Sequence, residues 1–185
     1  MLVVNGNRAN NAAAIIYKAE LIIEVVPPGM KQKKPLTLVM LHNDTHILLG
    51  MKKRGFATGK WNGYGGKLME GETIDQAAIR ELHEESGIVV QSLAKVGILT
   101  FIMEGIEEMW EGHVYAVPDF RGEAVETEEM RPQWFKLNEI PFDMMWTDDK
   151  LWLPLLLAGK KFKGTFRFKD NDTMISHEVI EVSEL

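Results

Sequence analysis

Residues 66–88 read GKLMEGETIDQAAIRELHEESGI, and this stretch decides the class of the protein. Glu81, Glu84 and Glu85 stand at positions i, i+3 and i+4, which share one face of an α-helix. A neighbouring apolar stripe at helical spacing is formed by Ile74, Ala77, Ala78 and Leu82. The pattern predicts a helix over residues 74–86 that packs one face on a core and turns its carboxylates outward.

Signals for both ends of this helix are present. Thr73 precedes the first helical residue and Gln76 follows three positions later, which is the pattern of a capping box. Gly87 stands where a glycine commonly ends a helix in the left-handed conformation. The helix is therefore predicted to begin after Thr73 and to end before Gly87.

Three like charges on one helix face repel one another and would destabilise an isolated helix. A bound divalent cation reverses that effect, and hard oxygen ligands suit Mg²⁺ or Mn²⁺. On the helix alone, a solvated acidic face is the more ordinary explanation of the glutamates.

Two further features favour a metal site. The segment WNGYGGK, residues 61–67, contains Gly65 and Gly66, which permit close backbone approach to a metal or phosphate, although a tight turn is the alternative. Arg80 lies eight residues after Glu72, so an ion pair between them could tie the loop to the helix. Alternatively, Arg80 pairs with Glu84 one turn later.

The whole pattern, G-x5-E-x7-R-E-L-x-E-E-x-G-I, resembles the box of the Nudix hydrolases. The resemblance implies an α/β fold, specifically an α/β/α sandwich with a mixed β-sheet and two main helices. It implies water attack on phosphorus, with Glu85 as general base and Arg80 and Glu72 as a structural tie. It also implies Mg²⁺ as cofactor, with Mn²⁺ as a substitute, and these metal-binding residues: Glu81, Glu84, Glu85, Glu129 and the backbone of Gly65 or Gly66.

Longer stretches resemble the MutT-type Nudix enzymes that hydrolyse oxidised purine nucleoside triphosphates. They are LLGMKKRGF (48–56), KWNGYGGK (60–67), EEMRPQWF (128–135) and MWTDD (145–149). The resemblance implies conversion of oxidised purine (deoxy)nucleoside triphosphates to monophosphate and pyrophosphate, which sanitises the nucleotide pool. The implied substrate-binding residues are Thr37, Lys52, Phe56, Asn62, Met103, Met130, Trp146, Asp148 and Asp149. Two alternatives remain: another nucleoside diphosphate-X substrate, or a catalytically silent nucleotide-binding module.

The sequence departs from that family pattern at three positions. Met103 stands where better-known members carry a phenylalanine, Trp110 where they carry a methionine, and Thr147 where they carry a proline. Methionine adapts its shape to its surroundings and can still contact a purine. The substitutions therefore bear on the ranking of oxidised guanine against oxidised adenine.

The amino-acid composition limits the kinds of partner that the protein can have. The chain has 185 residues, 45% of them hydrophobic, and no cysteine, which excludes a disulfide framework. A net charge of −6 argues against a nucleic-acid polymer as partner. No apolar run is long enough to span a membrane, and the first residues do not resemble a secretory signal. We expect a cytoplasmic monomer, with a mitochondrial or nuclear fraction also compatible.

Residues 1–35 are expected to form a flexible N-terminal extension, and residues 36–185 the hydrolase domain. The break is placed after the turn signal Pro27-Pro28-Gly29 and a lysine cluster. Strands are predicted over residues 36–41, 46–52, 95–103, 113–117, 134–137, 162–168 and 174–182. A second helix is predicted over residues 148–158, with Thr147 as its N-cap.

Overall fold

The computed structural model describes residues 32–117, 120 and 122–185. Most of the predicted extension, residues 1–31, lies outside these described residues. Among the described residues, no helix is long and apolar enough to cross a membrane.

Within the described residues, the chain forms eight strands and two α-helices, with three strands before the first helix, three between the helices and two after the second. The strands are β1 (Gln32–His42), β2 (His46–Lys52), β3 (Trp61–Asn62), β4 (Ala94–Met103), β5 (Glu108–Val117), β6 (Met130–Lys136), β7 (Lys161–Phe168) and β8 (Met174–Val182). The helices are α1 (Ile74–Ser86) and α2 (Asp149–Leu157), with a short 3₁₀ helix (Phe142–Met144) before α2.

The strands form one mixed sheet in the order β3-β2-β1-β5-β4-β7-β8, and β6 pairs with β2. The pairs β1–β5 and β4–β7 are parallel, while β2–β6, β4–β5 and β7–β8 are antiparallel. The predicted mixed sheet with two helices is therefore confirmed.

Each face of the sheet buries a separate apolar cluster. Side chains alternate along β1, so Val39 and Leu41 join the cluster that packs against Leu82 of α1. Met40, between them, joins the other cluster, which includes Trp152 of α2. The sheet is thus covered by α1 on one face and α2 on the other, as the sandwich prediction requires.

The predicted ends of α1 are confirmed in detail. The Thr73 hydroxyl accepts from the Gln76 amide at 3.2 Å, and the Gln76 side chain accepts from the Thr73 amide at 2.9 Å. Gly87 follows the helix with φ 74°, and its N–H donates to the His83 carbonyl. These contacts hold the carboxylates of α1 next to residues 63–67, which we call the glycine loop.

The start of α2 differs from the prediction. The N-cap is Asp148, not Thr147, and its side chain makes no capping hydrogen bond. The Asp148 carboxylate instead accepts from the indole N–H of Trp152, one turn into the helix, at 3.1 Å. The Thr147 hydroxyl is buried without a hydrogen-bond partner among the described residues. Neither Thr147 nor Asp148 therefore caps the first turn of α2 with its side chain.

Strands β1, β5 and β6 are several residues longer than the sequence predicts, because their pairing partners extend them. β1 begins at Gln32 and pairs in parallel with β5, which begins at Glu108. β6 begins at Met130, because it pairs along the length of β2. Residues 32–35, assigned to the extension from sequence, are therefore part of the sheet.

Candidate active site

Five carboxylates line a cleft of about 570 Å³ on the α1 side of the sheet. Glu81, Glu84 and Glu85 come from α1, and Glu128 and Glu129 come from the loop before β6. We call this the carboxylate cleft. It brings together all the side chains that the sequence assigns to metal binding.

Glu85 is the most enclosed of these carboxylates, with 4% of its surface exposed. The Gly65 amide donates to its Oε2 at 2.9 Å, and the Lys52 ammonium donates to its Oε1 at 3.0 Å. Burial raises the pKa of Glu85, although these two donors oppose that shift. A carboxylate with a raised pKa accepts a proton more readily than a solvated one does.

Lys52 bridges the two sides of the cleft. Its ammonium donates to Glu85 and also to Oε2 of Glu129, at 3.1 Å. Burial alone would lower the pKa of Lys52, but the two carboxylates together raise it, so the ammonium stays charged. The hydrogen bond from Arg54, at 2.8 Å, is the main cause of the lowered pKa of Glu129.

Arg80 ties the loop to α1 as predicted. Its guanidinium donates to both carboxylate oxygens of Glu72, at 2.6 and 3.0 Å, and to the Lys67 carbonyl at 3.1 Å. It also reaches Glu81 at 2.9 Å and Glu84 at 3.0 Å. The hydrogen bond from Arg80 lowers the pKa of Glu72 to about 2, so Glu72 remains ionised. The two interactions that the sequence suggested for Arg80, with Glu72 in the loop and with Glu84 one helical turn later, therefore occur together.

The glycine loop packs too closely for side chains. A Cβ on Gly66 would lie 2.6 Å from Oε1 of Glu81. Gly65 has φ 152°, and a Cβ there would overlap the carbonyl of Thr37 in β1. The Gly66 amide in turn donates to the Thr37 hydroxyl at 3.2 Å. The absence of side chains thus lets the loop backbone lie against both β1 and α1.

We expect Gly65→Ala to lower the free energy of unfolding by about 3 kcal/mol, because the added Cβ meets a backbone carbonyl that cannot rotate away. Urea denaturation would measure the change. Gly112→Ala is the matched control, since its added Cβ would find its nearest neighbours at 3.4 Å, an ordinary contact. Equal stability of Gly65→Ala and wild type would contradict this account of the loop.

The donor set of the carboxylate cleft fits a divalent metal ion. Its oxygen ligands are carboxylates, and the loop backbone lies beside Glu81 without an intervening Cβ. In the described part of the chain, however, no three acidic or histidine side chains are already arranged so that they could hold one metal ion. The carboxylates are instead held by Lys52, Arg54 and Arg80.

A second constellation lies on the α2 side of the sheet. Asp148 and Asp149 are 3% and 2% exposed, although both belong to a residue type that is normally solvated. The Trp146 amide donates to Oδ2 of Asp149 at 3.0 Å. The exposed ring of Phe56 stacks on Trp146 with centroids 5.4 Å apart. We call Asp148, Asp149, Trp146 and Phe56 the aspartate site.

The two aspartates hold protons unusually tightly. Burial raises the pKa of Asp148 to about 6, against the opposing hydrogen bond from Trp152. Burial also raises the pKa of Asp149 well above its ordinary value, and the charge of Asp148 adds to the effect. A buried acid pair of this kind offers both donor and acceptor oxygens near neutral pH.

The remaining predicted substrate residues are divided between the two faces. Met103 packs against the α2-side cluster. Asn62 pairs with Gly50 of β2, and its side chain accepts from the Gly63 amide at 2.9 Å. Thr37, Lys52 and Met130 lie on the α1 side, where they contact the glycine loop, the carboxylate cleft and the apolar core respectively. The structure does not bring these three to the aspartate site, and their contact with a base stays a prediction.

Several residues in these sites were not singled out from the sequence, among them Arg54, which donates to Glu129. Trp152 lies four residues after Asp148, so helical spacing alone could have found their contact. Lys60 contacts the ring of Trp146. The Tyr64 hydroxyl is buried, and burial together with the negative charge of Glu85 raises its pKa. No sequence signal indicates these last two, because their partners are distant in the chain.

Comparison with known proteins identifies the family. The NUDIX domain model matches residues 33–156. Two curated relatives are oxidized purine nucleoside triphosphate hydrolases. The Danio rerio protein is 49% identical over 84% of this chain and all of its own length, and the Mus musculus protein is 50% identical over 83% of this chain and 98% of its own.

A solved structure of MutT protein from Bacillus halodurans superposes with a TM-score of 0.70 and 26% identity, covering 79% of this chain and 97% of that one. The fold, the carboxylate cleft beside its glycine loop and these matches together place the chain in the Nudix hydrolase family.

Proposed function

We propose that this Nudix hydrolase converts oxidised purine (deoxy)nucleoside triphosphates to the monophosphate and pyrophosphate. The observation that supports this most directly is the buried acid pair Asp148–Asp149 beside the aromatic surface of Trp146 and Phe56. The two relatives named for this activity are about half identical over most of the chain. Removal of such nucleotides would sanitise the pool from which nucleic acids are made.

The aspartate site suits a purine whose edge carries both donors and acceptors. An ionised carboxylate only accepts hydrogen bonds, whereas a protonated one also donates. Because burial raises the pKa of Asp148 to about 6 and raises that of Asp149 well above its ordinary value, the pair can hold one proton at neutral pH. Trp146 and Phe56 supply aromatic surface for stacking on a flat base.

The carboxylate cleft supplies the hydrolytic chemistry. Nudix hydrolases generally need a divalent metal ion, and we propose Mg²⁺, with Mn²⁺ as a substitute. Glu81, Glu84, Glu85, Glu129 and the backbone of Gly65 or Gly66 would hold it. When bound, the ion neutralises the phosphates and lowers the pKa of attacking water.

The protein's own groups position and deprotonate that water. Glu85, held by the Gly65 amide and buried enough for its pKa to rise, accepts the proton of the water. The pairing of Arg80 with Glu72 keeps the loop against α1, so the cleft retains its shape. Lys52 lies between Glu85 and Glu129, where its positive charge can meet the substrate phosphates.

The test is pyrophosphate release with Mg²⁺ from 8-oxo-dGTP, 2-hydroxy-dATP, dGTP and dATP side by side. We expect the oxidised purines to react at least about tenfold faster in kcat/KM than their ordinary counterparts. A chelator should stop all turnover, because the carboxylates alone cannot neutralise the phosphates. Equal turnover of 8-oxo-dGTP and dGTP would refute the substrate assignment while leaving the family assignment intact. Binding without any turnover would instead identify a silent nucleotide-binding module.

A further inference from the structure

The ammonium of Lys60 lies at the edge of the aspartate site. Lys60 belongs to the loop between β2 and β3, and its Nζ is 4.9 Å from the centroid of the Trp146 ring. The same Nζ lies 3.2 Å from Oδ1 of Asp172, in the turn between β7 and β8, and 3.5 Å from the Met145 carbonyl oxygen. Lys60 therefore joins three segments of the chain around one aromatic ring.

One peptide group connects Lys60 to the acid pair. The carbonyl of Met145 faces the ammonium, and the N–H on the other side of the same peptide bond, that of Trp146, donates to Asp149 at 3.0 Å. In a trans peptide the C=O and N–H point in opposite directions. The positive charge thus lies at the negative end of the peptide dipole and the carboxylate at its positive end, so each strengthens the other's interaction.

The charges that face Asp149 act in opposite directions. Asp148, its neighbour on α2, raises the pKa of Asp149, while Lys60 from the β2–β3 loop lowers it. Asp172, from the β7–β8 turn, offsets part of the Lys60 charge. The Trp146 amide and the Trp152 indole add uncharged donors that favour the ionised form. Lys60 is therefore the basic group that works against protonation of Asp149.

We propose that Lys60 is a specificity-determining positioning residue: its charge opposes the protonation of Asp149 that burial favours, and so biases which oxidised purine the aspartate site prefers. This inference rests on the proposed function. Guanine carries an acceptor oxygen at its 6-position, whereas adenine carries a donor amino group there. Moving the proton from one aspartate to the other exchanges a donor for an acceptor, and the ranking of the two bases changes with it.

The experiment compares Lys60→Met, which keeps the aliphatic stem, with Lys60→Arg, which keeps the charge. Binding of 8-oxo-dGMP is measured without metal by calorimetry across pH 5–9, and kcat/KM is measured for 8-oxo-dGTP and 2-hydroxy-dATP. In Lys60→Met we expect the midpoint of the binding pH profile to rise by about one unit. The ratio of the two kcat/KM values should change at least about threefold, while Lys60→Arg keeps both near wild type.

Two further variants complete the design. Asp172→Asn removes the anion beside Lys60, so its midpoint should move the opposite way, to lower pH. Lys136→Met, which removes an exposed lysine paired with Glu139, should change neither measurement. Asp172→Asn also keeps the inference testable if Lys60→Met fails to fold.

The outcomes are distinct. A uniform loss of affinity at every pH in Lys60→Met, with an unmoved midpoint, would reduce Lys60 to a structural support and overturn the inference. Wild-type protein without a preference for oxidised purines would overturn the proposed function, and the inference with it. A wild type with that preference, and a Lys60→Met variant with an unchanged ratio and midpoint, would overturn the inference alone.

Discussion

Replacing Glu85 by glutamine is expected to lower kcat for 8-oxo-dGTP by about a thousandfold, because the buried carboxylate that accepts the proton of the attacking water is lost. Glutamine keeps the shape of the side chain and an oxygen for the Gly65 amide, which lies 2.9 Å away. The fold should therefore persist, and binding of 8-oxo-dGMP without metal should change little. Steady-state kinetics and calorimetry on the same preparation would measure both quantities.

Glu139→Gln is a matched control for this substitution. Glu139 is an exposed glutamate whose one ionic contact in the described structure is with Lys136, so its loss should leave kcat unchanged. Full activity of Glu85→Gln would show that another carboxylate accepts the proton. A large loss of nucleotide binding together with kcat would instead indicate that the pairing of Glu85 with Lys52 supports the fold of the cleft.

The second large effect is expected from Asp148→Asn. The asparagine retains an oxygen for the indole N–H of Trp152, now 3.1 Å from Asp148, but it cannot exchange a proton with Asp149. The ratio of kcat/KM for 8-oxo-dGTP to that for 2-hydroxy-dATP should therefore change by about tenfold or more, since sites built on hydrogen bonds discriminate strongly. The metal concentration needed for half-maximal rate should stay the same.

Substrate assays at saturating and limiting Mg²⁺ separate these two effects. An unchanged substrate ranking in Asp148→Asn would remove the aspartate site from base recognition. A changed metal requirement would show that the substitution disturbs the carboxylate cleft on the opposite face of the sheet.

The same substitution has a predictable effect on stability. The pKa of Asp148 is raised to about 6 in the folded protein, whereas an unfolded aspartate titrates near 3.9. Between about pH 4 and pH 6 the folded state binds more protons than the unfolded state, so stability falls as pH rises through this window. In Asp148→Asn, the free energy of unfolding should therefore decrease less over this pH window than in the wild type. Urea denaturation at pH 4, 5, 6 and 7 would measure the difference.

The N-terminal boundary of the domain shows one way in which tertiary contacts override a sequence reading. The turn signal at Pro27-Pro28-Gly29 and the lysines after it favour a break at residue 35. Residues 32–35 nevertheless form the first part of β1, since parallel pairing with β5 satisfies their backbone hydrogen bonds. Lys33 and Lys34 also pair with Glu111 and Glu108 of β5, which a reading of local composition does not reveal.

By itself, the sequence determined the features that depend on neighbours within a few positions. Helix α1, with its Thr73–Gln76 capping box and its terminal Gly87, follows from local hydrogen bonds and 3.6-residue periodicity. The row of glutamates follows from the same spacing, while the tie between Arg80 and Glu72 was expected from their eight-residue separation and from the family resemblance. Resemblance then supplied the family, which the matches to known proteins confirm.

Only the tertiary structure decided which distant groups meet. Lys52 reaches Glu85 across 33 positions and Glu129 across 77, and Lys60 reaches Asp172 across 112. The protonation of the acid pair also depends on burial by the α2-side core, which no local pattern encodes. Charges and pKa values depend on distance through space and on exclusion of water, and chain separation predicts neither.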